Sequence, residues 1–323
     1  MGMPECLKMG GLALAIVGSV GVNPMMTEPA NAADRPVQEF TVVVQEKTIG
    51  LMSNPQKQVT VWAFGLDGQE ATVPGPVIRV RAGDLVRVHF KNTHVLPHSM
   101  HFHGAHPFNM DGNGVRDLGK EQLQLPGETY TYEWVARDPG YYVYHCHFDT
   151  FNHLDHGMYG FFIVEDPAWP KVDRELLTVW DEWDVNGDGR YDTHTINTRS
   201  APDFIALPAV AGEKVRVVLA NFGNEVHSPH IHGVMWTVVD SGDPRHVLGG
   251  NHNGVLSIGP AELKVIEFVP TYEGTWLFHC HVMPHVADDG LYDRGMLTTL
   301  LVRKGAEEGT QPGKKAGAPE RHR

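Results

Sequence analysis

Apolar and polar residues alternate over residues 77–90 and again over 263–269, the two-residue period of half-buried strands. Gly and Pro turn signals bound both stretches. No long segment carries the periodicity of an amphipathic helix. The pattern predicts an all-β chain.

The pattern also repeats. Gly83-Asp84-Leu85-Val86-Arg87-Val88 returns as Gly212-Glu213-Lys214-Val215-Arg216-Val217, with Asn92 and Asn221 at the same offset. His98 follows Gly83 by 15 residues, and His227 follows Gly212 by 15. Pro126 precedes His145 by 19 residues, and Pro260 precedes His279 by 19. Two copies of one domain are expected, residues 34–168 and 169–303, each an antiparallel β-sandwich of Greek-key type. The join falls in residues 166–173, which carry Pro167 and Pro170. The tail, 304–323, is rich in Lys, Gly, Glu and Pro and is expected to be disordered.

Composition changes the picture in one respect. The chain has 323 residues and a net charge of −13, which suits two globular domains and argues against nucleic acid as a partner. It carries 20 His and 12 Met but only 3 Cys, which points to metal rather than to a disulfide framework. Residues 1–33 read as a signal peptide: Lys8, an apolar stretch over 10–22 too short to span a bilayer, and Ala30-Asn31-Ala32 as a cleavage site. A periplasmic or secreted protein follows, with no membrane span after cleavage. Cleavage would leave Cys146 and Cys280. A disulfide between them would suit an exported protein, but their neighbours point to metal.

Four segments carry those neighbours: His98-Ser99-Met100-His101-Phe102-His103, His145-Cys146-His147, His227-Ser228-Pro229-His230-Ile231-His232 and His279-Cys280-His281. Side chains two apart share a face of a strand, and the one between them points the other way. Each His-x-His pair can therefore serve one metal cluster. In His-Cys-His the thiolate faces a second site, and the covalent path from Cys to His joins the two. Downstream of Cys146 come His153 and Met158; downstream of Cys280 come His285 and Met296. With His98 and His227, each copy offers two His, one Cys and one Met, the donor set of a blue-copper site. Zinc would take four strong ligands and leave the Met idle.

These segments resemble those of the multicopper oxidase family, which includes laccases, ferroxidases and bilirubin oxidases. The resemblance implies cupredoxin-like domains, an electron-accepting type 1 copper and a trinuclear cluster that reduces dioxygen. It assigns His101 and His230 to the type 2 copper. His103, His145, His147, His232, His279 and His281 go to the type 3 pair. Asp111 resembles the acidic residue that assists proton delivery there; an Asp before Gly112 also suits a plain turn. Most members have three domains and one type 1 site. This chain resembles the two-domain branch with a type 1 site in each domain. That implies about five coppers per chain, two type 1, one type 2 and two type 3. It also implies a homotrimer with clusters at the subunit interfaces.

Some spacings depart from the pattern. His153 lies seven residues after Cys146, but His285 lies five after Cys280; Met158 comes five after His153, but Met296 eleven after His285. Met296 remains the expected ligand, because Gly295-Met296 leads into an apolar strand as Gly157-Met158 does, with a core role as the alternative. His156 competes with His153, but only His153 keeps the five-residue step to Met158. Residues 184–192 resemble the start of a calcium loop, but Thr195 stands where the closing Glu would be, so a solvated turn is expected. The reductant is expected to be a phenol or aromatic amine, or else ferrous or cuprous ion. Copper nitrite reductase is a rival reading. It would need a single type 2 copper on three His, with an acidic residue where this chain has His101. A non-enzymatic copper or electron carrier would need none of the eight extra His.

Overall fold

The computed structural model describes residues 35–106, 110–112, 123–251, 254–288 and 290–305. The expected leader, and the tail beyond residue 305, lie outside the described residues.

The first sandwich contains β1 (Val37–Ser53), β2 (Gln56–Leu66), β3 (Ile78–Arg81), β4 (Leu85–Lys91), β5 (His101–Phe102), β6 (Thr129–Val135), β7 (Gly140–His145) and β8 (Tyr159–Glu165), with α1 (Thr150–Asp155) between β7 and β8. The second contains β9 (Arg174–Trp183), β10 (Thr193–Ile196), β11 (Leu207–Val210), β12 (Val215–Asn221), β13 (Pro229–Ile231), β14 (Trp236–Val239), β15 (Val247–Asn251), β16 (Leu263–Phe268), β17 (Gly274–Cys280) and β20 (Leu297–Arg303). A small hairpin, β18 (Ala287–Asp288) and β19 (Leu291–Tyr292), precedes β20.

The sheets repeat as the sequence does. The order β2-β1-β4-β6 in the first sandwich returns as β10-β9-β12-β16, and β3-β8-β7-β5 returns as β11-β20-β17-β13. The second copy adds β14 and β15 at one edge. Four pairs run parallel: β1 with β4, β3 with β8, β9 with β12, and β11 with β20. The sheets are therefore mixed, not antiparallel throughout as expected. Alternation carries no strand direction, and a path that changes sheets between such neighbours needs no hairpin to join them. Residues 77–90 are likewise two strands, β3 and β4, in different sheets. Gly83, at a φ of 95°, makes the turn between them.

Alternation sorts residues between two kinds of core. Val215, Val217 and Leu219 of β12 face the inside of the second sandwich, with Ile266 and Phe268 of β16. Val218 and Ala220 face outward, and with Val265 they meet Tyr141, Val143, Tyr159, Phe161 and Ile163 of β7 and β8. Tyr159 stacks on Phe222 at 4.2 Å and 8°, and its hydroxyl donates to Asp181. The tongue formed by β1 and β2 reaches across as well. Leu51, Val61 and Ala63 pack with Trp183, and Ser200 N–H donates to Leu51 O at 2.9 Å.

The connection over 166–173 is packed: Trp169 stacks on Tyr141 at 5.2 Å. The 184–192 turn holds itself, since Asp184 accepts backbone N–H bonds from Gly187, Asp188 and Gly189 at 2.7–3.1 Å. Among the described residues no helix is long and apolar enough to cross a membrane.

Candidate metal centres

Cys146 follows β7 and is fully buried, as are His98 and Met158; His153 is 1% exposed. Cys146 Sγ lies 3.1 Å from His153 Nδ1 and 3.7 Å from His98 Nδ1, and the two nitrogens are 3.2 Å apart. In the second sandwich Cys280 Sγ lies 3.6 Å from His285 Nδ1, and His227 Nδ1 lies 3.2 Å from His285 Nδ1. Both thiols are free of disulfide. His153 rides on α1, whereas His285 rides on a 3-10 turn, Met283–Val286. The different spacings from Cys to His follow from those two devices.

The two methionines share one backbone frame. Cys146 N–H donates to Met158 O at 3.0 Å, and Met158 N–H donates to His153 O at 3.1 Å. Cys280 N–H donates to Met296 O at 3.0 Å, and Met296 N–H donates to His285 O at 2.8 Å. Met296 is fully buried like Met158. The extra residues before it loop out as the β18–β19 hairpin and return the chain to the same position. His156 stacks on Trp62 at 3.8 Å and stands apart from the Cys146 trio.

On the opposite side of each His-Cys-His lie the other imidazoles. β5 pairs His101 with His145, and β13 pairs His230 with His279. Phe102 and Ile231, between the paired histidines, point into the cores. His101 faces His103, His145 and His147 at centroid distances of 4.9–5.4 Å. His230 faces His232, His279 and His281 at 4.9–5.4 Å. Nε2 of His103 and Nε2 of His145 lie 2.8 Å apart, and Nε2 of His232 and Nε2 of His279 lie 3.2 Å apart. His145 Nδ1–H donates to Cys146 O and His279 Nδ1–H to Cys280 O, both at 2.8 Å. Each bond fixes the tautomer that turns an Nε2 lone pair toward its neighbours. Asp111 Oδ1 lies 3.1 Å from His101 Nδ1 and 3.6 Å from His106 Nε2.

Residues 46–168 match one family model described as "Multicopper oxidase", and residues 177–305 match another with the same description. The chain belongs to the multicopper oxidase family. It is 30% identical over 322 residues to the "Copper-containing nitrite reductase" of Neisseria meningitidis serogroup B, covering 91% of this chain and 76% of that protein. It is 30% identical over 285 residues to a "Probable nitrite reductase-hydroxylamine oxidoreductase fusion protein" of Kuenenia stuttgartiensis, covering 81% of this chain but only 31% of that protein. Among solved structures, the blue copper oxidase of Nitrosomonas europaea superposes with a TM-score of 0.72 at 28% identity, covering 82% of this chain and 86% of that one.

The donor chemistry of this multicopper oxidase suits copper. Burial holds His98 down to about 2, His145 and His285 to about 3, and His103 and His153 to about 4, so these imidazoles are neutral and can donate lone pairs. Burial pushes the Cys146 thiol up to about 11, and Cys280 upward too. A bound cation is what would hold each as thiolate. Backbone N–H groups already point at the sulfurs: Ser99 to Cys146 at 3.5 Å, and Ser228 and Val282 to Cys280 at 3.3 and 3.4 Å.

The depressed imidazoles also predict an acid-labile metal-free protein. Their folded values lie below the unfolded value of about 6.5. As pH falls from there toward about 4, the unfolded chain takes up protons that the native one refuses, and stability drops. Each such histidine removes up to about 1.4 kcal/mol per pH unit. Denaturant midpoints of the metal-free protein should fall between pH 7 and pH 5; equal midpoints would dismiss the effect.

Several residues around these centres escape the motifs. His94 Nδ1 lies 2.8 Å from His98 Nε2. Glu182 Oε2 accepts from His227 Nε2 at 3.0 Å, and Glu225 Oε2 accepts from His285 Nε2 at 3.0 Å. His106 flanks Asp111. His94, His106 and Glu225 lie within four residues of motif histidines, but only tertiary contact shows what they touch, and Glu182 is distant in sequence as well.

Proposed function

We propose that the chain couples one-electron oxidation of a small reductant to four-electron reduction of dioxygen to water. Phenols and aromatic amines are the favoured reductants, and ferrous or cuprous ions the alternative. The reading places a type 1 copper on His98, Cys146, His153 and Met158, and a second on His227, Cys280, His285 and Met296. His101 and His230 would hold the type 2 copper, and His103, His145, His147, His232, His279 and His281 the type 3 pair. Copper supplies the redox chemistry and the oxygen site.

The chain's own residues supply the rest. Buried carbonyls orient the imidazoles, and N–H groups hold the sulfurs. The tripeptides His145-Cys146-His147 and His279-Cys280-His281 join each sulfur to the imidazoles by covalent bonds. Asp111, beside His101 Nδ1, is the candidate to pass protons. Its replacement, Asp111→Asn, should slow oxygen turnover by about 10²-fold with the blue spectra unchanged; turnover equal to wild type across the neutral pH range would remove that role.

The carrying observation is the pair of matched four-imidazole groups. A single type 2 copper on three His would leave most of them without a task. Each group also lies open on its own sandwich, with His103 and His232 half-buried and His281 exposed. We therefore place the cluster between the first sandwich of one copy and the second of the next, in a homotrimer.

Likeness to proteins named copper-containing nitrite reductase favours a second reading, nitrite reduction. Copper quantitation, paramagnetic resonance and oxygen uptake separate the two. About five coppers per chain, two blue centres and oxygen consumption with a phenolic donor are expected. Nitrite turnover without oxygen consumption would replace this reading with the second.

A further inference from the structure

The two blue sites differ in what touches the outer nitrogens of their histidines, and the duplicated register shows why. β1 pairs Val42 with Phe90 of β4, and β9 pairs Thr178 with Leu219 of β12. Four residues further along these matched strands stand Glu46 and Glu182. The next matched positions, two and four residues after Asn92 and Asn221, are His94 and Gly223, then Leu96 and Glu225. Asn92 and Asn221 play the same part: Asn92 Oδ1 accepts from His94 N–H at 3.0 Å and Asn221 Oδ1 from Gly223 N–H at 2.9 Å.

In the second sandwich Gly223 leaves room for a carboxylate, since a Cβ there would fall on Glu182 Oε2. Glu182 is 1% exposed. Its Oε1 accepts from the backbone N–H groups of Asn224 and Glu225, and its Oε2 accepts from His227 Nε2 at 3.0 Å. Glu225, whose counterpart is an apolar leucine, accepts from His285 Nε2 at 3.0 Å and from His194 Nε2 at 2.9 Å. In the first sandwich His94 fills the place of Gly223. It stands between the glutamate and the imidazole, with Nδ1 2.8 Å from His98 Nε2 and Nε2 3.5 Å from Glu46 Oε2. Glu46 is displaced to the surface, at 58% exposed.

We infer that Glu182 and Glu225 are positioning residues that hold the second blue site at a lower reduction potential than the first. This rests on the reading that both sites carry copper. A carboxylate that accepts the outer N–H of a ligand imidazole strengthens the inner nitrogen as a donor. Stronger donors and adjacent negative charge favour the cupric state over the cuprous one. The second site has a carboxylate on each of its two histidines; the ring of His94 takes that place beside His98.

The test is a redox titration of the copper-loaded protein, followed by visible absorption and paramagnetic resonance. Two one-electron steps are expected. Cys280→Ser should remove the lower one and Cys146→Ser the higher. Glu182→Gln and Glu225→Gln should each raise the lower step alone, by about tenfold in the ratio of reduced to oxidised protein, or about 59 mV. Glu225 is half-buried on the surface, so its variant carries the test if Glu182→Gln does not fold. Two blue centres with coincident steps, or a lower step that neither variant moves, would overturn the inference. A single blue centre in fully copper-loaded protein would instead overturn the two-site reading beneath it.

Discussion

Coexpressed His103→Ala and His232→Ala chains, each inactive alone, should together recover oxygen uptake. Each substitution breaks one four-imidazole group. His103 Nε2 sits 2.8 Å from His145 Nε2 in the first, and His232 Nε2 sits 3.2 Å from His279 Nε2 in the second. A chain damaged in one group still carries the other intact. If the cluster forms head to tail between copies, about one contact in four in an equal mixture joins two intact groups. Uptake should therefore return to about a quarter of the wild-type value per chain. Both parents should keep their blue colour, which shows that they fold. A mixture as inactive as its parents would place both halves of the cluster within one chain.

The largest loss of stability is expected from Phe222→Ala. Phe222 is 3% exposed, stacks on Tyr159 at 4.2 Å, and meets Phe161 edge-on at 6.0 Å. It sits where β12 ends, among residues from both sandwiches. Removing a buried phenyl ring costs about 3–5 kcal/mol, and the lost aromatic pairing adds about 1 kcal/mol. Denaturant unfolding should register that loss, while the blue spectra of the folded protein stay the same. A loss below about 1 kcal/mol would mean that the seam between the sandwiches repacks around the gap.

Much of this architecture was legible because duplication and alternation act at short range. His101-Phe102-His103 lays two imidazoles on one face with Phe102 in the core, as the two-residue period requires. The offsets from Gly83 and Gly212 predicted matched sandwiches, and the sheet orders repeat accordingly. Strand direction was not legible, since β1 beside β4 satisfies the same alternation whichever way it runs. Gly295-Met296 before an apolar strand pointed to Met296, but the hairpin that accounts for its longer spacing and brings it back beside Cys280 was not legible. Glu182 lies 45 residues from His227, and its role depends on the absence of a side chain at Gly223. A motif records which residues are present; it cannot record a space left for another residue.

The tongue of β1 and β2 bears on assembly. Leu51 and its neighbours pack with Trp183, while β7 and β8 press against β12 and β16. One sandwich therefore cannot swing freely on the other. The direction in which the first four-imidazole group looks is tied to that of the second, like two faces cut on one stone. In a head-to-tail assembly that angle is the step from copy to copy. A step of one third of a turn closes a three-membered ring, and a different step makes a spiral. Packing around Leu51 and Trp183 would then help decide whether the last copy meets the first.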